Sequence, residues 1–199
     1  MTGRSEALQM FLDAAFVAFD QFAQAPESRR SIRQIFSALE VSGAERPGPG
    51  NRLPVCSRLD RAFAIATEHQ SLHRLVERFK AIEPRLEWRR RTNYDSSASD
   101  NFVDGHANSM IIGPAGLEDR RDIWFGVTLM APNVRYPDHD HAPEEVYLVL
   151  SEGEFRQGEG AWFSPGIGGS FYNKPAIRHA MRSVDTPLFA FWLLLARPA

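Results

Sequence analysis

From residue 108 onward the chain breaks into seven short apolar or alternating runs, at 108–113, 123–130, 146–150, 161–164, 170–173, 178–183 and 188–195. Gly, Pro, Asn or Asp separates them, and that spacing is typical of an all-β sandwich or barrel. Glu152-Gly153 and the Gln-Gly-Glu-Gly of 157–160 mark hairpin turns.

The preceding residues follow a different period. Leu8, Phe11, Leu12, Ala15, Phe16 and Phe19 recur at three and four, which predicts an amphipathic helix over 5–22 with Ser5 as its cap. A second helix is expected over 28–39, with Ile32, Ile35, Phe36 and Leu39 on one face, and a third over 57–79. Between them, Pro47, Gly48, Pro49, Gly50 and Pro54 make 43–54 a surface connection, or a lid if it folds over a site. The expected organisation is a helical region, 1–97, packed on a β-barrel, 98–199, together one structural domain. A chain of 199 residues with 43% hydrophobic content can bury one sizeable core.

Charge and cysteine content narrow the partners. With 23 basic against 25 acidic residues, nothing suggests nucleic acid or a membrane surface. Arg29, Arg30 and Arg33 therefore read as a solvated helix face. Arg89, Arg90 and Arg91 read as positive charge meeting the dipole at a helix C-terminus, with an anion-attracting patch as the second reading. Cys56 is alone, so no internal disulfide can form. The start of the chain lacks a signal-peptide pattern, and its best apolar run, 187–196, is too short to span a bilayer. A cytoplasmic monomer or homodimer acting on a small molecule is the expectation.

The chemistry concentrates in 136–147, Tyr-Pro-Asp-His-Asp-His-Ala-Pro-Glu-Glu-Val-Tyr. His139 and His141 are two apart, as are Glu145 and Tyr147, so on extended backbone each pair points to one face. Imidazoles with a carboxylate suit one divalent transition metal such as zinc, iron, manganese or nickel, with His179 as the distant ligand. Otherwise Glu145 would carry an uncompensated charge into an apolar strand, which is costly. His69 and His73 also have a metal-compatible i, i+4 spacing. Gln70 stands where a zincin motif needs glutamate, so they read as exposed helix histidines.

These residues resemble the cupins, small β-barrels that hold one metal inside. His139-Asp140-His141, then Glu145 and Gly153, follow the first cupin motif, and Gly169, Pro175 and His179 follow the second. Ile177 and Ser183 replace that motif's glycine and asparagine. The whole of 136–147, with Trp162-Phe163-Ser164-Pro165-Gly166 and the helical N-terminal part, is similar to the dimethylsulfoniopropionate lyases of the DddQ type. That resemblance implies a mainly β cupin barrel under a helical layer, and cleavage of dimethylsulfoniopropionate to dimethyl sulfide and acrylate. It also implies His141, Glu145 and His179 as metal ligands, Tyr147 as ligand or base, and Tyr136 and His139 as active-site lining.

The substrate's demands fit these residue types. Loss of the α-proton places charge on the carboxylate, which a metal stabilises, and dimethyl sulfide leaves neutral, so one base suffices. Tyr147 and Tyr136 are the candidates, each needing a nearby cation to lower a pKa of about 10. A sulfonium favours aromatic faces. Trp124, Trp162, Phe171, Tyr172 and Trp192 lie on predicted strands, with Trp124, Tyr172 and Trp192 taken as substrate-binding and Lys174 as a carboxylate partner. Competing readings are an iron-dependent cupin dioxygenase on the same ligands, a non-catalytic small-molecule-binding cupin, and a sugar isomerase; fold does not choose among them.

Overall fold

Along the last strand, Phe189, Phe191 and Leu193 belong to one apolar cluster, while Leu188 and Ala190 belong to another. The same alternation runs through its neighbours: Phe125, Val127 and Leu129 join the first cluster and Met130 the second. A period of two thus gives one sheet two covered faces. One receives the helices and the other faces the barrel interior.

The structure, a computed structural model, describes residues 3–196. Residues 1–2, which open the stretch read for a targeting signal, and 197–199 lie outside the described residues. The strands are β1 (Ala44–Glu45), β2 (Trp88–Arg89), β3 (His106–Ile112), β4 (Glu118–Asp119), β5 (Ile123–Met130), β6 (Arg135–His139) and β7 (Glu145–Val149), then β8 (Glu154–Gln157), β9 (Ser170–Asn173), β10 (His179–Arg182) and β11 (Leu188–Leu195). The large sheet runs β1-β4-β3-β5-β11-β7-β9, with β2 also on β3, and the small one runs β6-β10-β8. Together they form the cupin barrel, mainly β beneath an N-terminal helical layer.

The helices α1 (Glu6–Phe22), α2 (Pro26–Ala38), α3 (Leu59–Phe63), α4 (Gln70–Ile82) and the short α5 (Phe102–Gly105) follow from local rules. Ser5 caps α1 through the Leu8 amide, and Pro26 begins α2, where its missing N–H costs nothing. Phe11, Phe79 and Phe191 weld helices to sheet, with Phe79 5.9 Å from Phe11 and 5.2 Å from Phe191 between ring centroids. Burying each ring contributes about 2–3 kcal/mol of transfer free energy. Among the described residues no helix is long and apolar enough to cross a membrane.

Three local expectations are corrected. The helix expected over 57–79 is interrupted: a 3₁₀ turn (Pro54–Arg58) and α3 precede an irregular link at 64–69, and helix resumes at Gln70. The β-branched Ile65 and Thr67 in that link favour extended backbone. Glu152-Gly153 does not close a hairpin, because β7 and β8 belong to different sheets and the chain crosses between them. The run at 161–164 contributes only a bridge from Phe163 to Phe155. As for 43–54, it holds edge strand β1 and a bridge from Asn51 to Glu87, and none of it lines the cavity described next.

Candidate metal centre and active site

β6 and β10 pair His139 directly with His179, while Glu145 opens β7 in the facing sheet and His141 lies in the link between. Their rings converge: His139 and His179 are 4.1 Å apart between centroids, and His141 and His179 5.0 Å. Ligand atoms of His141, Glu145 and His179 all lie within 4.8 Å of one another, the one such metal-compatible group found among the described residues. His139 stands beside this group rather than in it.

Backbone carbonyls set the tautomers. Nδ1 of His139, His141 and His179 sits 2.9, 2.8 and 2.9 Å from the carbonyls of Pro137, Pro143 and Ile177. A carbonyl only accepts, so each Nδ1 carries the proton and donates, and Nε2 keeps a lone pair in the neutral ring. The Nε2 atoms of His141 and His179 are buried, make no hydrogen bond, and lie 3.3 and 3.2 Å from Glu145 Oε2. Asn173 Nδ2 donates to that same oxygen at 2.9 Å and is itself held by Gln157. Two lone pairs and a carboxylate facing one another require a shared cation or added protons. With ring orientation fixed by outer hydrogen bonds, the donor set fits a divalent transition metal.

Electrostatics agree. Burial alone would raise the Glu145 carboxyl, but the imidazoles of His141 and His179 hold it below the usual carboxylate range. Burial pulls His141 down, yet Glu145 leaves it above the ordinary histidine value. Burial and the adjacent His179 push His139 down to about 3.

His141 and Glu145 of the group line a cavity of about 310 Å³ whose walls also include Tyr136, Tyr147, Trp124, Trp192 and Met181, together with Arg89, Arg90 and Arg91. Tyr147 stacks on Phe171, ring centroids 5.1 Å apart and 18° from parallel; burial and the nearby Glu145 carboxylate keep its hydroxyl well above 10. Burial also raises Tyr136, against which the Arg91 guanidinium and the Asn108 amide, donating at 2.9 Å, favour the phenolate.

A profile of the dimethylsulfoniopropionate lyases matches residues 27–190. The chain belongs to the dimethylsulfoniopropionate lyase family. Membership makes it a carbon–sulfur lyase. It is 27% identical over 182 residues to dimethylsulfoniopropionate lyase DddQ of Ruegeria pomeroyi, covering 91% of this chain and 89% of that one. The fold is shared with a chain from the crystal structures of the lyases RdDddP and RnDddQII, at 23% identity and TM-score 0.75 over 95% of this chain and 92% of that one. It is shared likewise with the crystal structure of DddQ from R. pomeroyi, at 23% identity and TM-score 0.69 over 96% and 92%.

Not every residue singled out from this family member's sequence reaches the cavity. Tyr172 pairs with Val146 on β9 and shares that residue's face, toward the helices, where its hydroxyl donates to Glu144 at 2.6 Å. Burial and that carboxylate push it up to about 12. Lys174 is exposed just past β9, outside the cavity lining. Trp162 packs against the guanidinium groups of Arg182, Arg156 and Arg135 at 4.4, 5.2 and 5.5 Å. His69 and His73 are exposed, His73 against the Thr67 carbonyl at 2.7 Å. In the other direction, Asn173, Asn108, Thr128 and Arg91 gather around the site. The consecutive arginines were the one sequence signal for any of them, through their reading as an anion-attracting patch.

Proposed function

We propose that this chain cleaves dimethylsulfoniopropionate by β-elimination to dimethyl sulfide and acrylate, using one divalent transition metal held by His141, Glu145 and His179. The observation that carries the proposal is the convergence of two buried Nε2 atoms without hydrogen-bond partners and a buried carboxylate beside an aromatic cavity. Zinc, iron, manganese and nickel all accept such nitrogen and oxygen donors. A bound ion supplies Lewis acidity to the substrate carboxylate as charge develops there.

The chain's own residues do the rest. Tyr147 or Tyr136, as phenolate, takes the α-proton; the C–H electron pair becomes the new C=C bond, and the C–S pair departs on sulfur as neutral dimethyl sulfide. Burial and Glu145 raise Tyr147, and an ion held by Glu145 would supply the cation that offsets them, whereas Tyr136 has Arg91 and the Asn108 donor. Trp124 and Trp192 offer π faces to the sulfonium. His139 lines the pocket beside the ligands. The helical region 1–97 and the barrel 98–199 are taken to fold as one unit, because a single apolar cluster spans both.

The test is release of dimethyl sulfide into the headspace by metal-loaded protein under nitrogen, with and without chelator. Anaerobic release that chelator abolishes is expected. A requirement for oxygen, or release indifferent to metal, would refute the reading and favour a dioxygenase or a metal-free route respectively.

A further inference from the structure

A hydrogen-bonded chain crosses the cavity wall from the large sheet to the small one. Trp192 Nε1 donates to Thr128 Oγ1 at 3.1 Å, Thr128 Oγ1 donates to Asn108 Oδ1 at 2.6 Å, and Asn108 Nδ2 donates to the Tyr136 hydroxyl at 2.9 Å. Its polarity follows from its first member, since an indole nitrogen can only donate. Thr128 therefore accepts from Trp192 and must dispose of its own proton, and Asn108 Oδ1 is the acceptor it reaches. Turning the amide over would leave that proton without a hydrogen-bond acceptor on a residue only 1% exposed, at the cost of a buried unsatisfied donor. So the Asn108 NH₂ group is directed at Tyr136, and the phenol oxygen accepts there.

Backbone register makes the chain possible. Asn108 and Thr128 are direct cross-strand partners on β3 and β5, and Trp192 on β11 is paired with Gly126, two residues before Thr128. Any Cβ at Gly126 would overlap the six-membered ring of the indole, so the missing side chain lets Trp192 lie across β5 and bring Nε1 to Thr128.

We infer that Thr128 and Asn108 are positioning residues, fixing the Trp192 ring plane and the Tyr136 hydroxyl as one unit. This deepens the lyase reading and rests on it. Trp192 is the wall offered to the sulfonium and Tyr136 one of the two candidate bases, so the chain sets the spacing between the two ends of the reacting group. No proton travels along it; it supplies direction only.

Three variants separate this from a merely structural role. The Trp192 indole N–H resonance, identified by its loss in Trp192→Phe, reports the first link without substrate. Thr128→Val should move that resonance upfield, raise KM and lower kcat, each by about tenfold, the worth of one hydrogen bond. Thr128→Ser, which keeps the hydroxyl, should restore resonance and kinetics. Asn108→Asp keeps the acceptor for Thr128 and loses the donor to Tyr136, so kcat should fall about tenfold while KM and the resonance hold. An unmoved indole resonance in Thr128→Val overturns the assignment whether or not the protein turns substrate over. Failure of Thr128→Ser to restore, or a KM effect without a kcat effect in Asn108→Asp, overturns it as well. Absence of dimethyl sulfide from the wild-type protein would instead strike the lyase reading, with the resonance still deciding the chain.

Discussion

Tyr147 combines two jobs that a substitution can separate. Its ring stacks on Phe171 in the barrel interior, and its hydroxyl lies beside Glu145. Tyr147→Phe keeps the ring and removes the hydroxyl, so folding and metal content should persist. If Tyr147 is the base, kcat should fall by about 10²–10⁴, the usual worth of a positioned proton acceptor. Tyr136→Phe answers the same question for the other phenol, and loss of turnover in neither single variant nor the double would exclude both. His106 offers a second test. It is fully buried, stacks on Phe102, and its Nε2 accepts from the Arg91 amide at 2.8 Å, which requires an unprotonated Nε2. Burial lowers its folded pKa below the ordinary 6.5, partly offset by the Phe102 carbonyl. The unfolded chain therefore takes up this proton first as pH falls below about 6.5, and stability drops over that range until the folded pKa is passed. Urea titrations at pH 7 and pH 5 should show this loss, and His106→Asn should remove its share of it.

At the scale of elements, the helical layer reaches into the loop that carries the candidate ligands. Ser31 of α2 and Tyr172 of β9 both donate to Glu144, the residue before Glu145 and three after His141. Glu144→Ala would cut both ties without touching a ligand. Metal affinity measured by competition with a chelator should fall about 10–100-fold, the range for outer partners of ligands, while turnover at saturating metal should hold. This contact was not legible in the sequence, because helix periodicity reports which face is apolar and says nothing about which loop that helix meets. Runs closely bounded by Gly, Pro, Asn or Asp were legible nearly to the residue: 123–130, 170–173 and 188–195 emerge as β5, β9 and β11. At 64–69, which contains no Gly or Pro, and at 161–164, which Gly160 and Pro165 bound, backbone preferences and tertiary pairing decided instead. Parity also explains the mixed fate of the aromatic candidates. Trp124 and Trp192 share the inward face with Gly126 and Tyr147, whereas Tyr172 is one residue out of step with Phe171 and faces the helices. Which face looked inward could be known only once both covering layers were in place. The grouping of His141, Glu145 and His179 in space could be read early because His-x-His and a buried glutamate are hard to explain otherwise.

At the scale of the whole molecule, the candidate ligands come from both sheets: His179 from the small one, Glu145 from the large one, and His141 from the link that joins them. A bound ion would therefore bridge the two walls of the barrel. If metal is present at about a thousand times its dissociation constant, it adds about 4 kcal/mol of stability. For a chain of this size that corresponds to a fall in Tm of about 10 °C on chelation, which a thermal melt with and without chelator would measure; an unchanged Tm would argue against the bridge. Stripping the metal would do more than silence turnover. With that rivet gone, the seam between the sheets would lose one tie at residues 140–144 and offer proteases a foothold, so metal scarcity would shorten the life of each molecule as well as idle it.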